Sequence, residues 1–484
     1  MLRKITLIAS LVVLVAGLAR AQEAWSLQRC IDFARENSLT MKQAENSIRS
    51  AELNVKLNQL SRLPNINGNA GAGAQFGRTI DPTTNTFESQ TIWYNSFSIN
   101  GGLQLFNAGG IHHAVAQSKL DLDATKLEAD ATFNDLALNI TSTYLAILLA
   151  EEQLENASKQ LEQSQAQLDQ TDKLIRAGTL PANDRLDVLA QIALNEQNVV
   201  QAENSVQTNY LILLQLLELK PTQPFRIEKP EIVLPADANP DQFRSDEVYS
   251  AALGTQPQIR ANELRQASAE KRISITQTNG LPTLSIGGSL STSWSSFKTQ
   301  PVVIGTDVYY IDQNIRLPDG SIATFGLEVE EPILDPNEPF TRADYWTQLD
   351  NNFGQSVGLQ LSVPIYNASR NSIAVQQARV SALSAKIASD QAKQRLQSDV
   401  LNAVTAAKAA RRAYVAAEKS FEAASMAYDN AQKRYDLGAI NTFELTTAKT
   451  NRDAAEIEVT RARFQYLFNL KIVDFYQGRP LKID

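Results

Sequence analysis

Among 484 residues there are one cysteine, two histidines and three methionines. A lone Cys30 excludes an internal disulfide and a cysteine-based zinc site. The two histidines are neighbours, His112 and His113, so a catalytic triad or a multi-histidine metal centre has almost nothing to work with. Three methionines, one of them the initiator, make a poor relay for soft metals. The sequence has no GxxxxGK[ST] loop and no HExxH. Lys and Arg number 45 against 53 Asp and Glu, with no basic block to neutralise phosphates, so nucleic acid is not expected as a partner. No metal, cofactor or catalytic residue is expected, and an enzyme is disfavoured.

Long apolar runs are scarce as well. Arg3 and Lys4 precede an apolar run from Ile5 to Leu18, and Ala19-Arg20-Ala21 follows as a small-x-small cleavage pattern. Residues 1–21 therefore read as a signal peptide and the protein as exported. Cys30 follows Arg29 rather than the small residue of a lipidation site, and is expected as a half-buried helix thiol. After the signal no uncharged apolar stretch approaches 18 residues, so no transmembrane helix is expected.

What the chain does have is internal duplication. Leu105-Phe106-Asn107-Ala108 corresponds to Ile365-Tyr366-Asn367-Ala368, and Arg176-Ala177-Gly178-Thr179-Leu180 to Asp436-Leu437-Gly438-Ala439-Ile440, both at an offset of 260. Each half reads as helix, two strands, then a long helical hairpin. The expected division is repeat 1 over 22–220, a Pro-rich linker over 221–245 and repeat 2 over 246–484. From about Ala108 to Ala177 there is no proline, and good helix formers dominate. Leu154, Leu161, Leu168 and Ile175 recur every seven residues, as do Tyr414, Phe421, Tyr428 and Tyr435 in the second half, the spacing of a coiled coil. The hairpin tips, near 177–184 and 437–443, place Gly178 and Gly438 where a helix end favours a left-handed residue. Asn183, Asp184, Asn441 and Thr442 follow as cap residues for the return helices.

Four segments alternate apolar and small polar residues: Leu63–Phe76, Phe97–Leu105, Leu284–Trp294 and Val357–Ile365. Period two gives each one apolar and one polar face. About ten residues per strand is the length that crosses a bilayer obliquely. Four strands cannot close a barrel, and an open edge in lipid strands backbone polar groups, so such a chain must oligomerise in a ring. Two copies would make a barrel filled by side chains, whereas three leave a pore. The competing reading is a soluble periplasmic coiled-coil scaffold or adaptor, which explains the rods but not four one-faced strands.

Taken in order, the N-terminal WSLQRCIDFARENSLTMKQAE, the strand-to-helix elements LQLFNAGG and LSVPIYNASR, and the hairpins RAGTLPANDRLDVLAQ and RYDLGAINTFELTTAKT resemble the TolC family of outer-membrane efflux and secretion channels. The resemblance covers the whole mature chain. It implies a homotrimer in the outer membrane, an α plus membrane-β fold in which three chains share one 12-stranded β-barrel continued by a long periplasmic α-helical barrel. It implies a passive exit duct for tripartite efflux or type I secretion, with a periplasmic adaptor and an inner-membrane transporter as partners. It also implies a gate at the periplasmic tip, for which Tyr435, Glu444 and Asp184 match family positions. Ile440 stands where the family has a basic residue and Thr447 where it has a second acid, so the family's salt-linked lock is only partly present. Gly178, Thr179, Leu180, Gly438, Ala439 and Ile440 match the adaptor-contacting tips, and Leu180 and Ile440 are expected to be exposed there. Between residues 295 and 355 lies a long acidic stretch, including Asp307, Asp312, Glu328, Glu330 and Glu331, expected as an extracellular surface loop.

Overall fold

The computed structural model describes residues 24–80, 87–222, 224–230, 240–296, 299–337, 340–479 and 481. The expected signal peptide and part of the expected linker, 231–239, lie outside the described residues. In chain order the elements are α1 (Leu27–Asn37), α2 (Leu39–Leu60), β1 (Asn65–Ile80), β2 (Phe87–Phe106), α3 (Gly110–Arg176) and α4 (Asp184–Leu216). Next come α5 (Ser245–Thr255), α6 (Pro257–Thr278), β3 (Thr283–Ser295), β4 (Thr299–Pro301), β5 (Val303–Arg316), β6 (Ile322–Leu334) and β7 (Phe340–Arg342). The last are α7 (Tyr345–Asn351), β8 (Gly354–Ser362), α8 (Arg370–Asp436) and α9 (Thr442–Tyr476). The two long helices α3 and α8 each have 67 residues and start 260 positions apart. Each is entered through a turn whose alanine, Ala108 or Ala368, has φ of 53°.

Two compact units gather segments from both halves of the sequence. The helical unit takes the described residues of Met1–Lys56, Ala116–Ile273 and Gln376–Asp484. Its first core packs Leu27, Cys30 and Ile31 of α1 against Ile140, Tyr144 and Ile147 of α3 and Leu213 and Leu217 at the end of α4. Cys30, expected half-buried, is fully buried, and burial pushes its thiol up to about 12. The Tyr144 hydroxyl donates to the carbonyls of Glu228 (2.7 Å) and Trp25 (3.2 Å), pinning the segment that pairs Trp25 with Ile227. A second core joins Val248 and Ala252 of α5 to Val400, Val404 and Ala407 of α8 and Val473 of α9. Arg265 of α6 clamps α3 through both oxygens of Glu128 (2.9 and 2.8 Å) and through Asp121 (3.2 Å). One 18-residue window of α3 is apolar enough to cross a membrane, but 56% of it is buried in the protein itself.

The β unit takes Leu57–Val115 and Ser274–Val375. Its main sheet is antiparallel in the order β1-β2-β3-β8, so β1 and β8 are its edges. Ile66, Phe97, Ile99, Leu290, Leu359 and Leu361 share one face. The other face carries Asn67, Asn69, Ser96, Ser98, Ser289, Ser356 and Gln360 among glycines. The four expected strands are present, but β1 and β2 run longer than ten residues, to 16 and 20. The acidic stretch is more than the expected loop: it holds the β5–β6 hairpin, the short β4–β7 pair and α7. On β5–β6, Tyr309, Ile311, Leu327 and Val329 share one face with the Asp307–Glu331 pair, and Val308 and Tyr310 share the other with Asp312, Glu328 and Glu330, so what looked like solvated loop chemistry makes a ribbon with acids on both faces.

Tyr144→Phe removes a buried hydroxyl and takes its donor from the Glu228 carbonyl, while the Trp25 carbonyl keeps the bond from Glu228 N at 2.9 Å. It is expected to cost about 1–2 kcal/mol of stability in urea unfolding followed by helical circular dichroism. A stability within error of the wild type would show that the hydroxyl does not hold this junction.

Candidate gate at the helical tips

Both tips lie in the helical unit and are built alike. Thr179 N donates to Leu174 O and Gly178 N to Ile175 O, each at 3.0 Å. The bonds Ala439 to Leu174's counterpart Arg434 and Gly438 to Tyr435, both 2.8 Å, repeat the pattern. Gly178 and Gly438 have φ of 74° and 70°, the left-handed conformation such an ending requires. At the second tip Asn441 caps α9, its side chain accepting from Glu444 N at 2.9 Å. At the first, Asn183 makes no side-chain cap bond, and Asp184 opens α4.

The two tips are tied together by a hydroxyl. Thr442 Oγ1 donates to Asp184 Oδ2 at 2.9 Å, and the Tyr435 hydroxyl lies 3.4 Å from the same Oγ1. Because the Thr442 proton is committed to Asp184, Tyr435 is the donor of that second bond. Thr442, Tyr435, Leu445 and Val188 are all buried, which shields the tie from water. Of the expected gate residues, Tyr435 and Asp184 are thus brought together, through Thr442, while Glu444 stands exposed and apart. The sequence reading treated Thr442 as a cap. Its contact spans 258 positions, and no local pattern announces such a partner.

Leu180 and Ile440, expected to be exposed, are half-buried. The apolar side chains that stand out near the tips are Leu437, Phe443 and Leu186. Gly178, Thr179, Gly438 and Ala439 are exposed as expected. Thr447 folds back on its own helix, donating to Phe443 O at 2.8 Å.

Away from the tips the seam between the hairpins is polar. Ala157, Ser164 and Thr171 form the buried stripe of α3, while Leu154, Leu161, Leu168 and Ile175, three positions off it, are only half-buried. Ser164 Oγ accepts from Asn195 Nδ2 of α4 (2.6 Å) and from Lys449 Nζ of α9 (3.1 Å). Lys449 is 3% exposed. Burial lowers its pKa, opposed by the attraction of Asp453, while Arg452 adds to the lowering. Asp453 is itself engaged by Arg452 at 2.6 Å. His112 and His113 sit in the first turn of α3 with no acidic or thiol companions, and no metal-binding cluster occurs among the described residues.

A model of the family described as "Outer membrane efflux protein" matches residues 30–218 and 248–473. The chain belongs to that family. A pyoverdine export outer membrane protein, OpmQ of Pseudomonas putida, is 22% identical over 274 residues, covering 56% of this chain and 57% of its own. Among solved structures, CusC aligns with TM-score 0.72 at 15% identity, over 95% of this chain and 93% of that one. The outer membrane protein VceC of Vibrio cholerae aligns with TM-score 0.70 at 15% identity, over 94% and 96%. The fold is therefore that of outer-membrane efflux channels, a helical barrel domain joined to a β domain, and these are not enzymes.

The lowered pKa of Lys449 means that the unfolded chain holds this proton more tightly. Stability should therefore rise as pH climbs from the lowered value towards 10.5. In Lys449→Met that rise is expected to vanish, with a gain of about 1–2 kcal/mol at neutral pH. Thermal unfolding across a pH series checks it; an unchanged pH slope in the variant would refute the assignment.

Proposed function

We propose that three copies of this outer-membrane efflux channel close one 12-stranded barrel, four strands from each, and that each chain is a duplicated unit contributing two helical hairpins to a shared periplasmic barrel. The observation that carries this reading is the sheet. One face is apolar and exposed, the other is lined by Ser, Asn, Gln and Gly, and both edges, β1 and β8, are open. In hydrocarbon an open edge is untenable, so the edges of neighbouring copies pair. A soluble scaffold would leave Ile66, Leu359 and Leu361 bare to water.

On this reading solutes leave passively, and energy comes from an inner-membrane transporter coupled through a periplasmic adaptor, in efflux or type I secretion. The tips Gly178, Thr179, Leu180, Gly438, Ala439 and Ile440 are the adaptor-docking region, joined by the exposed Leu437 and Phe443. The Tyr435–Thr442–Asp184 tie holds the tip closed. Three exposed Glu444 carboxylates around the axis form a negative ring that favours cations. The uncharged inner face of the sheet selects no particular cargo, so specificity is set by the transporter.

The detergent-corrected mass is expected to be that of three chains. In planar bilayers Thr442→Val, which deletes the bridging hydroxyl, should raise conductance several-fold, and Glu444→Gln should lower cation preference without opening the tip. A monomer released without detergent would sink the channel architecture. Unchanged conductance in Thr442→Val would sink the tie as a lock.

A further inference from the structure

Beside β3 the partner strand stops early. β8 pairs with β3 only as far as Ser291 opposite Gly354. Over the last residues of β3 the helix α7 takes its place. Ser295 N donates to Gln348 Oε1 (3.1 Å), Asn352 Nδ2 donates to Ser293 O (2.7 Å), and Thr292 Oγ1 donates to Leu349 O (2.5 Å). Asp344 caps the helix, accepting from Trp346 N and Thr347 N, and Gln348 is 1% exposed. The helix is thus fixed to the sheet.

It leans over the apolar face. Thr292 and Trp294 belong to that face, and Tyr345 meets the Trp294 ring at 5.6 Å. Asn95, opposite Trp294, donates to the Tyr345 hydroxyl at 3.2 Å. Helical spacing puts Tyr345 and Leu349 on the side of α7 that meets the sheet, with Trp346 packed edge-on against Tyr345 at the exposed margin of that side and Asp350 one turn beyond it. Trp346 is 74% exposed. At the same level Trp93 is exposed too, and its backbone is held by Ser296 (2.8 and 2.9 Å). Three of the chain's four tryptophans therefore stand at one level. It is the end of the sheet away from the strand ends that lead into helices.

We propose that α7 is a membrane anchor whose Trp346, Tyr345 and Leu349 contact outer-leaflet lipid at headgroup depth, continuing the lipid-facing surface of the sheet. The proposal rests on the reading of that sheet as a membrane wall. Lipid is the fitting occupant because the aromatic side of α7 is continuous with the apolar face, and because amphipathic rings collect where hydrocarbon meets water. The acidic insertion is consequently rooted on the lipid side of the wall, not over its polar inner face.

Two single-tryptophan proteins, one keeping Trp346 and one keeping Trp93 with the other three changed to Phe, test it in phosphatidylcholine vesicles brominated near the headgroup or near the chain ends. Trp346 should be quenched about twofold more by headgroup-proximal bromine, with blue-shifted emission, and Trp93 should also be quenched. Quenching of Trp93 without Trp346 overturns the anchor, whether water or a neighbouring copy covers the helix. Quenching of neither overturns the membrane wall itself and the anchor with it. Should the triple substitutions prevent assembly, a nitroxide on Trp346→Cys gives the same answer, since buried Cys30 stays unlabelled. Collisions with oxygen should then exceed those with a water-soluble nickel reagent, and the reverse order would overturn the proposal.

Discussion

A backbone amide or carbonyl in hydrocarbon must be paired within protein, because no water is there to take its place. The β unit is organised around that rule. The four strands of its main sheet pair side by side and leave the outer edges of β1 and β8 open, and those two edges are what the proposed threefold assembly exists to close. The same constraint acts on a smaller scale where β8 ends. Gln348 and Asn352 supply side-chain amide groups to the backbone of β3 at Ser295 and Ser293, doing for a few residues what a neighbouring strand does for the rest. A short helix fits there because its side chains can satisfy a strand edge without continuing the ladder.

The inner and outer faces follow from the same geometry. Pleating sends alternate side chains to opposite sides. A wall that is wet within and oily without then needs only period two, and Ser, Asn and Gly recur at one parity with Ile, Leu and Phe at the other. Glycine and alanine dominate β1, which leaves its faces weakly marked. Pairing with β2 through sixteen residues of register compensates for that thin signal.

Much of this was readable in the chain. The offset of 260 between Asn107 and Asn367, and between Gly178 and Gly438, reappears as two helices of equal length with equivalent tip turns. Local chemistry is enough for such features, since a left-handed turn wants glycine and a helix start wants a cap. The tie through Thr442 was not readable, because Asp184 comes from a distant segment. The tightest stripe of α3 was not readable for a related reason. Leucine at heptad spacing marks a seam in an isolated pair of helices, but here three helices meet, and the small residues Ala157, Ser164 and Thr171 take the tightest position. The β5–β6 ribbon was hidden by its acids, which suggest solvent more loudly than alternation suggests a strand.

The helical unit is not uniformly firm. Its root around Tyr144 is apolar and fully packed, with Ile140, Ile147, Leu213 and Leu217 all below 2% exposure. Between that root and the tips, where Val188, Tyr435 and Leu445 are again buried, the buried positions turn polar, to Gln160, Ser164, Thr171, Asn195, Lys449 and Asp453. Buried atoms of Gln160, Gln167 and Thr171 find no hydrogen-bond partner among the described residues. Each such group costs about 1–3 kcal/mol relative to hydration, so parting the hairpins along this stretch returns energy that parting them at the root would forfeit. The lock proposed above, one threonine hydroxyl between Tyr435 and Asp184, suits a seam of this kind. On the proposed reading it needs only to outweigh a weak interface, and the proposed adaptor contact at the exposed Leu437 and Phe443 has little to break.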